Sequence, residues 1–545
     1  MINELCELFL NVADGDAVVL ERDKTYHVRQ DDSFVLDGYY CSNSAKMDEN
    51  PTGRRYTAMY LKDKKNVTVD GNGATVLIHG KMTPILLDRC QDITFKNLTI
   101  DYACPTMAEI TVASCEDGEY TLKINPECLF RIEGNDLFWR GETGKDGKPY
   151  WEDRYLGRYR LVVCYDPVKK ISHGLDMNSL EFETLEQLDE TTLRVRLKDP
   201  KTVLPVGSVL QTRNIIRNQV GSLFQRSKNV TLENLRIKFM HGLGLVAQFC
   251  ENVTYRNCEL TPGQGRTITS TADFFHFSGC KGKVVIEGCK AWGAQDDHIN
   301  VHGTHLRIVE CNREERTLTV RFMHDETWGL QVFETGDEIE FIRWDTLIPY
   351  SGNRVVSFDR LNDTEVRLYL EKPLPEIEVG LDVVENASWT ADFYVRNCEF
   401  LQTSCRGILC TTRGEVIIEN NRFYHLSGPA LVAEDDCNFW FESGYTRHII
   451  FRNNTVTGCG YGMGEDGMPA IRYSPKVIRQ DSGEYVHGKL TATGNRFEEP
   501  PRGSHSIWLN YVREAEIRDN RFDAPYTVKT HCVENVCEEG NLVDA

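Results

Sequence analysis

A short phrase that recurs along the chain constrains the fold more than any other feature of the sequence. In each copy apolar residues alternate with polar ones before an Asn or a Gly, a pattern typical of a short strand that enters a turn. The copies follow at a steady spacing: 26 residues separate Asp70 from Lys96, and 23 separate Glu233 from Arg256. They lie at residues 66–71 (NVTVDG), 92–97 (DITFKN), 229–234 (NVTLEN), 252–257 (NVTYRN), 416–423 (VIIENNRF), 451–454 (FRNN), 493–497 (TGNRF) and 518–522 (RDNRF).

The period and the residues of this phrase distinguish between two repeat architectures. A leucine-rich repeat requires a leucine-dominated consensus with helical segments, and the sequence has neither. A parallel β-helix requires inward-facing β-branched residues and an Asn at the turn, because Asn tolerates left-handed backbone geometry and stacks on the same side chain of the next coil. The sequence therefore predicts an all-β fold, a right-handed parallel β-helix.

Two stretches interrupt the repeat and divide the chain into five segments. Both are rich in short β-type runs, such as residues 193–197 (LRVRL) and 318–322 (LTVRF). They are too apolar for disordered loops, so we expect two β-rich, barrel-like inserts. The helical face formed by Leu5, Leu8, Phe9 and Val12 predicts a cap on the first coil. The predicted segments are the cap and first coils at 1–102, an insert at 103–219, central coils at 220–305, a second insert at 306–388 and the last coils at 389–545.

The charge and the cysteines narrow the choice of partners and compartment. The net charge of −20 and the pI near 5.3 argue against nucleic acid, polyanionic sugars and anionic membranes as partners. The nineteen cysteines, several at equivalent repeat positions, are interpreted as reduced core residues. The sequence has no run of about 20 apolar residues that would cross a membrane, and its acidic first residues lack the pattern of a cleavable signal. We expect a cytoplasmic protein, or a secreted one if a leader has been removed.

Three aspartates form the most informative constellation. Asp273 and Asp296 are 23 residues apart, one period of the repeat. Residues one coil apart stack at about the inter-strand spacing of 4.8 Å, so Asp273 should lie beneath Asp296 or Asp297. Carboxylates this close disfavour joint ionisation, and at least one should keep its proton near neutral pH. Hydrolysis of a glycosidic bond requires one protonated and one ionised carboxyl. For Asp296 and Asp297 both to reach a substrate, the strand must bend there.

The sequence around these aspartates resembles glycoside hydrolase family 110. The motifs that carry the resemblance are residues 271–280 (TADFFHFSGC), 296–304 (DDHINVHGT), 324–329 (HDETWG), 405–409 (CRGIL) and 440–444 (WFESG). Members of that family are α-galactosidases for terminal α-1,3-linked galactose, as in blood-group B and linear α-Gal epitopes, and carry β-barrel inserts on a β-helix. The resemblance implies an inverting, exo-acting hydrolase that needs no metal and no cofactor. It also implies a galactose-terminated oligosaccharide or glycoconjugate as the partner.

Six further residues are predicted to bind the substrate: Asn300, His302, Trp328, Arg406, Trp440 and Glu442. The two tryptophans are expected to stack on the apolar face of a galactose ring, with core packing as an equal alternative. Arg406 and Glu442 are expected to fix sugar hydroxyls through charge-assisted hydrogen bonds, with surface pairing as the alternative. Asn300 and His302 alternate in direction, so one should face the sugar and the other the coil stack.

Within the acidic triad, Asp296 is expected to be the general acid, with Asp273 and Asp297 holding the attacking water. This order follows the polygalacturonases, whose triad is similar, and a carboxyl flanked by two others should keep its proton most firmly.

Two alternatives stay open at this point. A polygalacturonase-like hydrolase or uronate lyase would need basic residues at the triad, and residues 273–304 include three lysines and no arginine. A non-catalytic carbohydrate-binding β-helix is disfavoured by the triad. No motif indicates a metal or nucleotide site. Because the flanks of a β-helix are exposed, a homo-oligomer is a further possibility for this sequence.

Overall fold

The computed structural model describes residues 2–156, 160–462, 467–480, 482–501 and 506–544, and over these residues the chain winds into a parallel β-helix. A complete coil contributes one strand to each of three parallel sheets, named sheets A, B and C in the order in which a coil runs. Strands pair with their equivalents on neighbouring coils, as Phe275–Ser278 pairs with Ile299–Thr304 in sheet A. The predicted parallel β-helix is confirmed.

The strands of the coils are short and follow one another at the period of the repeat. Sheet A contains Met59–Lys62, Ile85–Asp88, Ser222–Gln225, Leu245–Gln248, Phe275–Ser278, Ile299–Thr304, Ile408–Cys410, Leu431–Ala433, Ile471–Tyr473 and the start of Ile507–Arg518. Sheet B contains Ala17–Val19, Lys65–Asp70, Gln91–Lys96, Lys228–Glu233, Glu251–Arg256, Lys281–Glu287, Ala391–Arg396, Glu415–Glu419, His448–Arg452, His487–Thr493 and the ends of Ile507–Arg518 and Val528–Glu539, whose starts pair with each other in sheet A. Sheet C contains Thr25–Arg29, Thr75–His79, Thr99–Tyr102, Arg236–Ile237, Glu259–Leu260, Lys290–Ala294, Glu399–Thr403, Arg422–Leu426, Thr455–Thr457, Arg496–Glu498, Arg521–Phe522 and Leu542–Val543.

The recurring phrase forms the strands of sheet B and the turn that follows them. In Lys228–Glu233, Val230 and Leu232 point into the core and are buried, while Thr231 between them is half-buried. The strand is followed by Asn234, whose φ is 54°. That is the left-handed region, in which Asn is tolerated better than most residues. Sequence periodicity, turn chemistry and burial therefore agree along the coils.

The second insert is a closed six-stranded antiparallel barrel between two coils. Its own core includes Ile308, Leu318, Phe341 and Leu368. Its strands are Leu306–Asn312, Thr317–Arg321, Glu338–Ile342, Pro349–Arg360, Glu365–Leu370 and Val383–Asn386.

The first insert is a seven-stranded antiparallel sheet whose described strands do not close into a barrel. Between its edge strands, Ile171–Gly174 and Phe182–Gln187, the chain forms the 3-10 helix Met177–Leu180, and Leu180 fills the core at that gap. The other strands of this sheet are Met107–Glu116, Glu119–Ile124, Arg160–Asp166, Thr192–Leu197 and Val209–Asn214. A three-stranded sheet covers the core from one side, with strands Leu129–Glu133, Asp136–Arg140 and Glu152–Arg154.

A short helix, Glu4–Leu10, covers the first coil. Leu5, Phe9 and the following Val12 are buried in the coil core, while Leu8 is 44% exposed, contrary to the face predicted from the sequence. A 3-10 helix, Gln30–Asp32, and the two-stranded sheet of Phe34–Leu36 and Arg55–Thr57 follow it. Within the described residues, the helices are too short and too polar to cross a membrane.

Candidate active site

The three aspartates of the triad meet in a pocket at the turn that leads from sheet C to sheet A. The pocket, its open mouth included, encloses about 530 Å³ of free space. Two arginines, Arg217 and Arg406, also line it. Its acidic lining residues are Asp273, Asp296, Asp297, Glu434, Asp436 and Glu442.

Asp273 and Asp297 occupy equivalent places on neighbouring coils. Phe275 pairs with Ile299 in sheet A, so Asp297, two residues before Ile299, lies above Asp273, two residues before Phe275. The backbone N–H of Asp297 donates to Oδ1 of Asp273 at 3.2 Å. The chain bends at Asp296, and Asp296 therefore faces the same pocket. The sequence predicted both the stacking and the bend.

Each member of the Asp pair has its own arginine. Arg217 donates from Nη2 to Oδ2 of Asp296 at 2.8 Å. Arg406 binds Asp297 through two parallel hydrogen bonds, from Nε to Oδ1 at 2.8 Å and from Nη2 to Oδ2 at 2.9 Å. This fork geometry fixes a carboxylate in one orientation. Arg406 therefore holds a member of the triad, where the prediction had it bind sugar hydroxyls.

Asp273 contacts a histidine. Its Oδ2 lies 2.8 Å from Nδ1 of His276, and Nε2 of His276 lies 3.1 Å from Nε2 of His302. Both histidines are buried, and burial lowers the pKa of His276 to about 4 and that of His302 below its ordinary value. His302 lies behind His276 and does not line the pocket. One of Asn300 and His302 was expected to face the pocket, and Asn300 is the residue that does.

The arginines separate the protonation states of the three aspartates. Burial opposes the ionisation of Asp296, but Arg217 and Arg406 outweigh it and hold the pKa of Asp296 below its usual range. Burial and the neighbouring Asp296 raise the pKa of Asp273 well above the usual range. Burial also raises the pKa of Asp297 to about 7, against the effect of Arg406. The directions of these pKa shifts favour a proton on Asp273 over one on Asp296, which was predicted to carry it, because Arg217 reaches Asp296 from the first insert.

Glu442 organises the polar wall opposite the triad. Its Oε1 accepts hydrogen bonds from Nδ2 of Asn43 at 2.5 Å and from Nδ2 of Asn300 at 3.1 Å. Glu442 is brought to the wall by a two-residue strand, Glu442–Ser443, that pairs with the end of the Ile299–Thr304 strand. Oδ1 of Asn300 has no hydrogen-bond partner among the described residues, whereas Oδ1 of Asn43 accepts the hydroxyl hydrogen of Thr327. The structure thus places the predicted residues Asn300 and Glu442 together.

Trp440 lines the pocket, while Trp328 lies outside it. Trp440 stacks on His324 with 4.3 Å between ring centroids, and its backbone N–H donates to Asp436. Trp328 is 5% exposed, packs on Tyr40 and donates from Nε1 to the carbonyl of Ala45 at 2.9 Å. The stacking role predicted for Trp328 does not fit this position, because the indole is already enclosed.

Several pocket residues escaped the sequence analysis: Asn43, Arg217, His276, Glu434 and Asp436. His276 lies three residues after Asp273, a spacing that offered a signal. Arg217 and Asn43 come from the end of the first insert and from a loop of the first coils, and no local pattern connects them to the triad.

One group of described side chains has donor atoms close enough for a cation: Asp296, Asp297 and Cys405, with one atom of each within 4.8 Å of the others. The donor set does not suit a metal. Both carboxylates already bind guanidinium groups, and burial raises the pKa of the Cys405 thiol well above its usual range, so it is no thiolate. Arg217 and Arg406 supply the positive charge that a metal cation would otherwise bring to these carboxylates.

The fold and the site define a β-helix protein with an open pocket lined by carboxyl groups whose pKa values are shifted in opposite directions, the arrangement of a glycoside hydrolase. The model of a family described as GLAA-B beta-barrel domain II matches residues 317–384, which lie in the closed barrel. The chain is 34% identical over 465 residues to alpha-1,3-galactosidase A of Bacteroides fragilis, covering 84% of this chain and 74% of the relative. It is 32% identical over 502 residues to alpha-1,3-galactosidase B of Bacteroides thetaiotaomicron, covering 90% and 78%. The chain belongs to the α-1,3-galactosidase family, glycoside hydrolase family 110.

Among solved structures, the A-module of mannuronan C-5 epimerase from Azotobacter vinelandii aligns with 100% of this chain and 92% of its own, at 8% identity and a TM-score of 0.38. The fold assignment rests on the strand pairings and takes no support from a match at this level.

Proposed function

We propose that the protein is an exo-acting α-galactosidase that hydrolyses terminal α-1,3-linked galactose with inversion at the anomeric carbon. The observation that carries the proposal is the triad itself: Asp273, Asp296 and Asp297 share one pocket in a chain of this family, with the pKa of Asp273 raised and that of Asp296 lowered. We place the terminal sugar in this pocket. The residues Asn43, Asn300 and Glu442 supply hydrogen-bonding groups for its hydroxyls.

The geometry supports a division of roles within the triad. Asp296 and Asp297 each have an oxygen within 4.8 Å of the other, so a single water can donate to both. We propose that these two hold and deprotonate the attacking water. Asp273 then gives its proton to the departing glycosidic oxygen. This assignment exchanges the roles predicted for Asp296 and Asp273.

The charge of the pocket disfavours the polygalacturonase-like and uronate lyase alternatives. Arg217 and Arg406 supply the arginine side chains that residues 273–304 lack, but each of them already forms an ion pair with an aspartate. Six carboxyl groups face two arginines, and a sugar carboxylate would meet mainly like charge.

Release of free galactose from α-1,3-, α-1,4- and α-1,6-linked galactosides, with the first anomer followed by NMR, tests the proposal. We expect release from the α-1,3 substrate and β-galactose as the first product. Asp296→Asn and Asp297→Asn should each lose on the order of 10²–10⁴-fold in turnover. Asp88→Asn, a buried sheet A aspartate outside the pocket, is the matched control. Near-wild-type rates for either triad variant, or α-galactose as first product, would contradict the proposal.

A second measurement assigns the acid. A nitrophenyl galactoside needs little protonation of its leaving group, so Asp273→Ala should keep far more activity on it than on a disaccharide. Asp296→Ala should lose both, and azide should restore it, because a small anion replaces a base but not an acid. If Asp296→Ala instead kept far more activity on the nitrophenyl galactoside than on a disaccharide, Asp296 would be the acid.

A further inference from the structure

We infer that Phe439 forms a second sugar site at the mouth of the pocket, where its ring stacks on the sugar to which the terminal galactose is bonded. The inference deepens the proposed function and rests on it for the terminal galactose in the pocket. It is independent of which aspartate of the triad is the acid and which is the base.

Phe439 is the only aromatic residue with a largely exposed side chain in the part of the chain that the structure describes. Its exposed fraction is 67%, whereas its neighbour Trp440 is half-buried and lines the pocket. A single exposed apolar residue is ordinary on a protein surface. Phe439 differs because it is joined to the wall of a ligand pocket and belongs to an aromatic group there.

A hydrogen-bonded turn holds Phe439 in place. The carboxylate of Asp436 accepts the backbone N–H groups of Asn438 at 2.8 Å, of Phe439 at 3.0 Å and of Trp440 at 2.6 Å. The backbone N–H of Asp436 donates to the carbonyl of Glu442 at 3.0 Å, which closes the turn against the pocket wall. A ring on a backbone fixed in this way loses little conformational entropy when a ligand covers it.

Phe439, Trp440 and His324 form the aromatic group at the mouth. His324 and Trp440 stack on each other with 4.3 Å between ring centroids. Phe439 meets both rings in T-shaped contacts, with its centroid 5.5 Å from that of Trp440 and 6.3 Å from that of His324. These contacts support the Phe439 ring and leave most of its surface to solvent.

The second sugar of the substrate is the ligand that fits this surface. With the terminal galactose beside the triad, the remainder of the oligosaccharide has to leave through the mouth. The 5.5 Å step from Trp440 to Phe439 is close to the length of one pyranose unit. A pyranose ring presents a face of C–H groups that stacks on an aromatic ring. Phe439 therefore suits a neutral sugar as the leaving group of the reaction.

Two substrates separate this site from the pocket. An α-1,3-linked galactose disaccharide offers a second ring to Phe439, whereas α-galactosyl fluoride contains the same galactose and no second ring. Phe439→Ala should lower kcat/KM on the disaccharide about 10-fold and leave kcat/KM on the fluoride within about 2-fold. Phe439→Tyr keeps the ring and should retain most of the rate on the disaccharide. Val356→Ala, an exposed barrel residue outside the pocket, is the control and should change neither.

Binding without turnover gives a second measurement. In the Asp296→Asn background, calorimetry with free galactose and with the disaccharide measures what the second ring adds to the affinity. Adding Phe439→Ala should weaken binding of the disaccharide about 10-fold and leave the Kd of galactose unchanged.

The outcomes distinguish this site from the proposed function. Equal losses on the disaccharide and the fluoride, or no loss on either, would overturn the inference while the wild-type activity stands. A loss on a trisaccharide without one on the disaccharide would place the contact at the third ring and also overturn it. If the wild type hydrolysed neither substrate, the proposed function would fail, and the inference with it.

Discussion

At the scale of single residues, Asp273 and Asp296 should respond in opposite ways to loss of charge. The pKa of Asp273 is raised in the folded protein, so its contribution to stability falls as the pH rises above about 4, the usual value of a carboxyl. Asparagine copies the protonated form, since its N–H₂ can donate to His276 and its oxygen can accept from Asp297. Asp273→Asn should therefore be at least as stable as the wild type at pH 4, and its stability relative to the wild type should increase toward pH 8.

Asp296, with its lowered pKa, stabilises the fold at neutral pH, and Asp296→Asn should lower the melting temperature there. Thermal unfolding from pH 4 to 8 measures both, and a pH-independent difference for Asp273→Asn would contradict the raised pKa.

The two predicted tryptophans give a matched pair at the same scale. Trp440 is half-buried against His324 and lines the pocket, so Trp440→Ala should raise KM about 10-fold or more with a smaller change in kcat, as expected when ring stacking is lost. Trp328→Phe keeps an aromatic ring beside Tyr40 but removes the hydrogen bond to Ala45 and part of the buried indole volume. It should lower the melting temperature and leave KM within about 2-fold. Steady-state kinetics on an α-1,3 disaccharide compare them, and an unchanged KM for Trp440→Ala would remove it from the substrate site.

At the scale of elements, an asparagine ladder joins the last coils. Asn421, Asn454, Asn495, Asn520 and Asn541 lie on successive coils, and each side-chain N–H₂ donates to the next amide oxygen at 2.9–3.2 Å. The backbone N–H of each also donates to that same oxygen, at 2.9–3.0 Å. The doubled asparagines of the repeat thus have separate tasks. The first takes the left-handed turn, as at Asn420 and Asn453, and the second closes the ladder.

Removing an inner rung of this ladder should cost more than removing the last. Asn495 is 1% exposed, and Asn495→Ala leaves the backbone N–H of Asn454 and the carbonyl of Phe451 without their partner. Unpaired buried groups of this kind cost about 1–3 kcal/mol each. We expect Asn495→Ala to lower the free energy of unfolding by about that amount, and Asn541→Ala, at the half-exposed end, by clearly less. Denaturant unfolding of both variants provides the comparison, and equal losses would mean that the ladder does not act through burial.

At the scale of the whole molecule, the site is assembled from segments that only the fold brings together. The phrase and its period predicted the coils, and the spacing of Asp273 and Asp296 predicted the triad, because both are local consequences of one repeat. Arg217 lies 56 residues before Asp273 and Asn43 lies 230 before it, outside any repeat relation. Their contacts depend on how the first insert and the early loop pack on the coils. The prediction for Asp296 could not take its ion pair with Arg217 into account, since that arginine comes from a segment with no local signature.

The closed barrel acts on the pocket through that early loop. Thr327, in the barrel segment, donates from its hydroxyl to Oδ1 of Asn43 at 2.7 Å and accepts the backbone N–H of Asn43 at 3.2 Å. Thr327 does not line the pocket, whereas Asn43 does and binds Glu442.

Thr327→Val keeps the shape of the side chain and removes both hydrogen bonds, so Asn43 should turn away from Glu442. We expect kcat/KM to fall about 10-fold or more, because small displacements of a binding group are costly to turnover. Thr364→Val in the same barrel removes the hydroxyl of a half-buried residue that lies outside the pocket and whose hydroxyl binds Asn362, and it should leave kcat/KM unchanged. If Thr327→Val also left it unchanged, Asn43 would hold its place without the barrel, and the barrel would have no part in building the site.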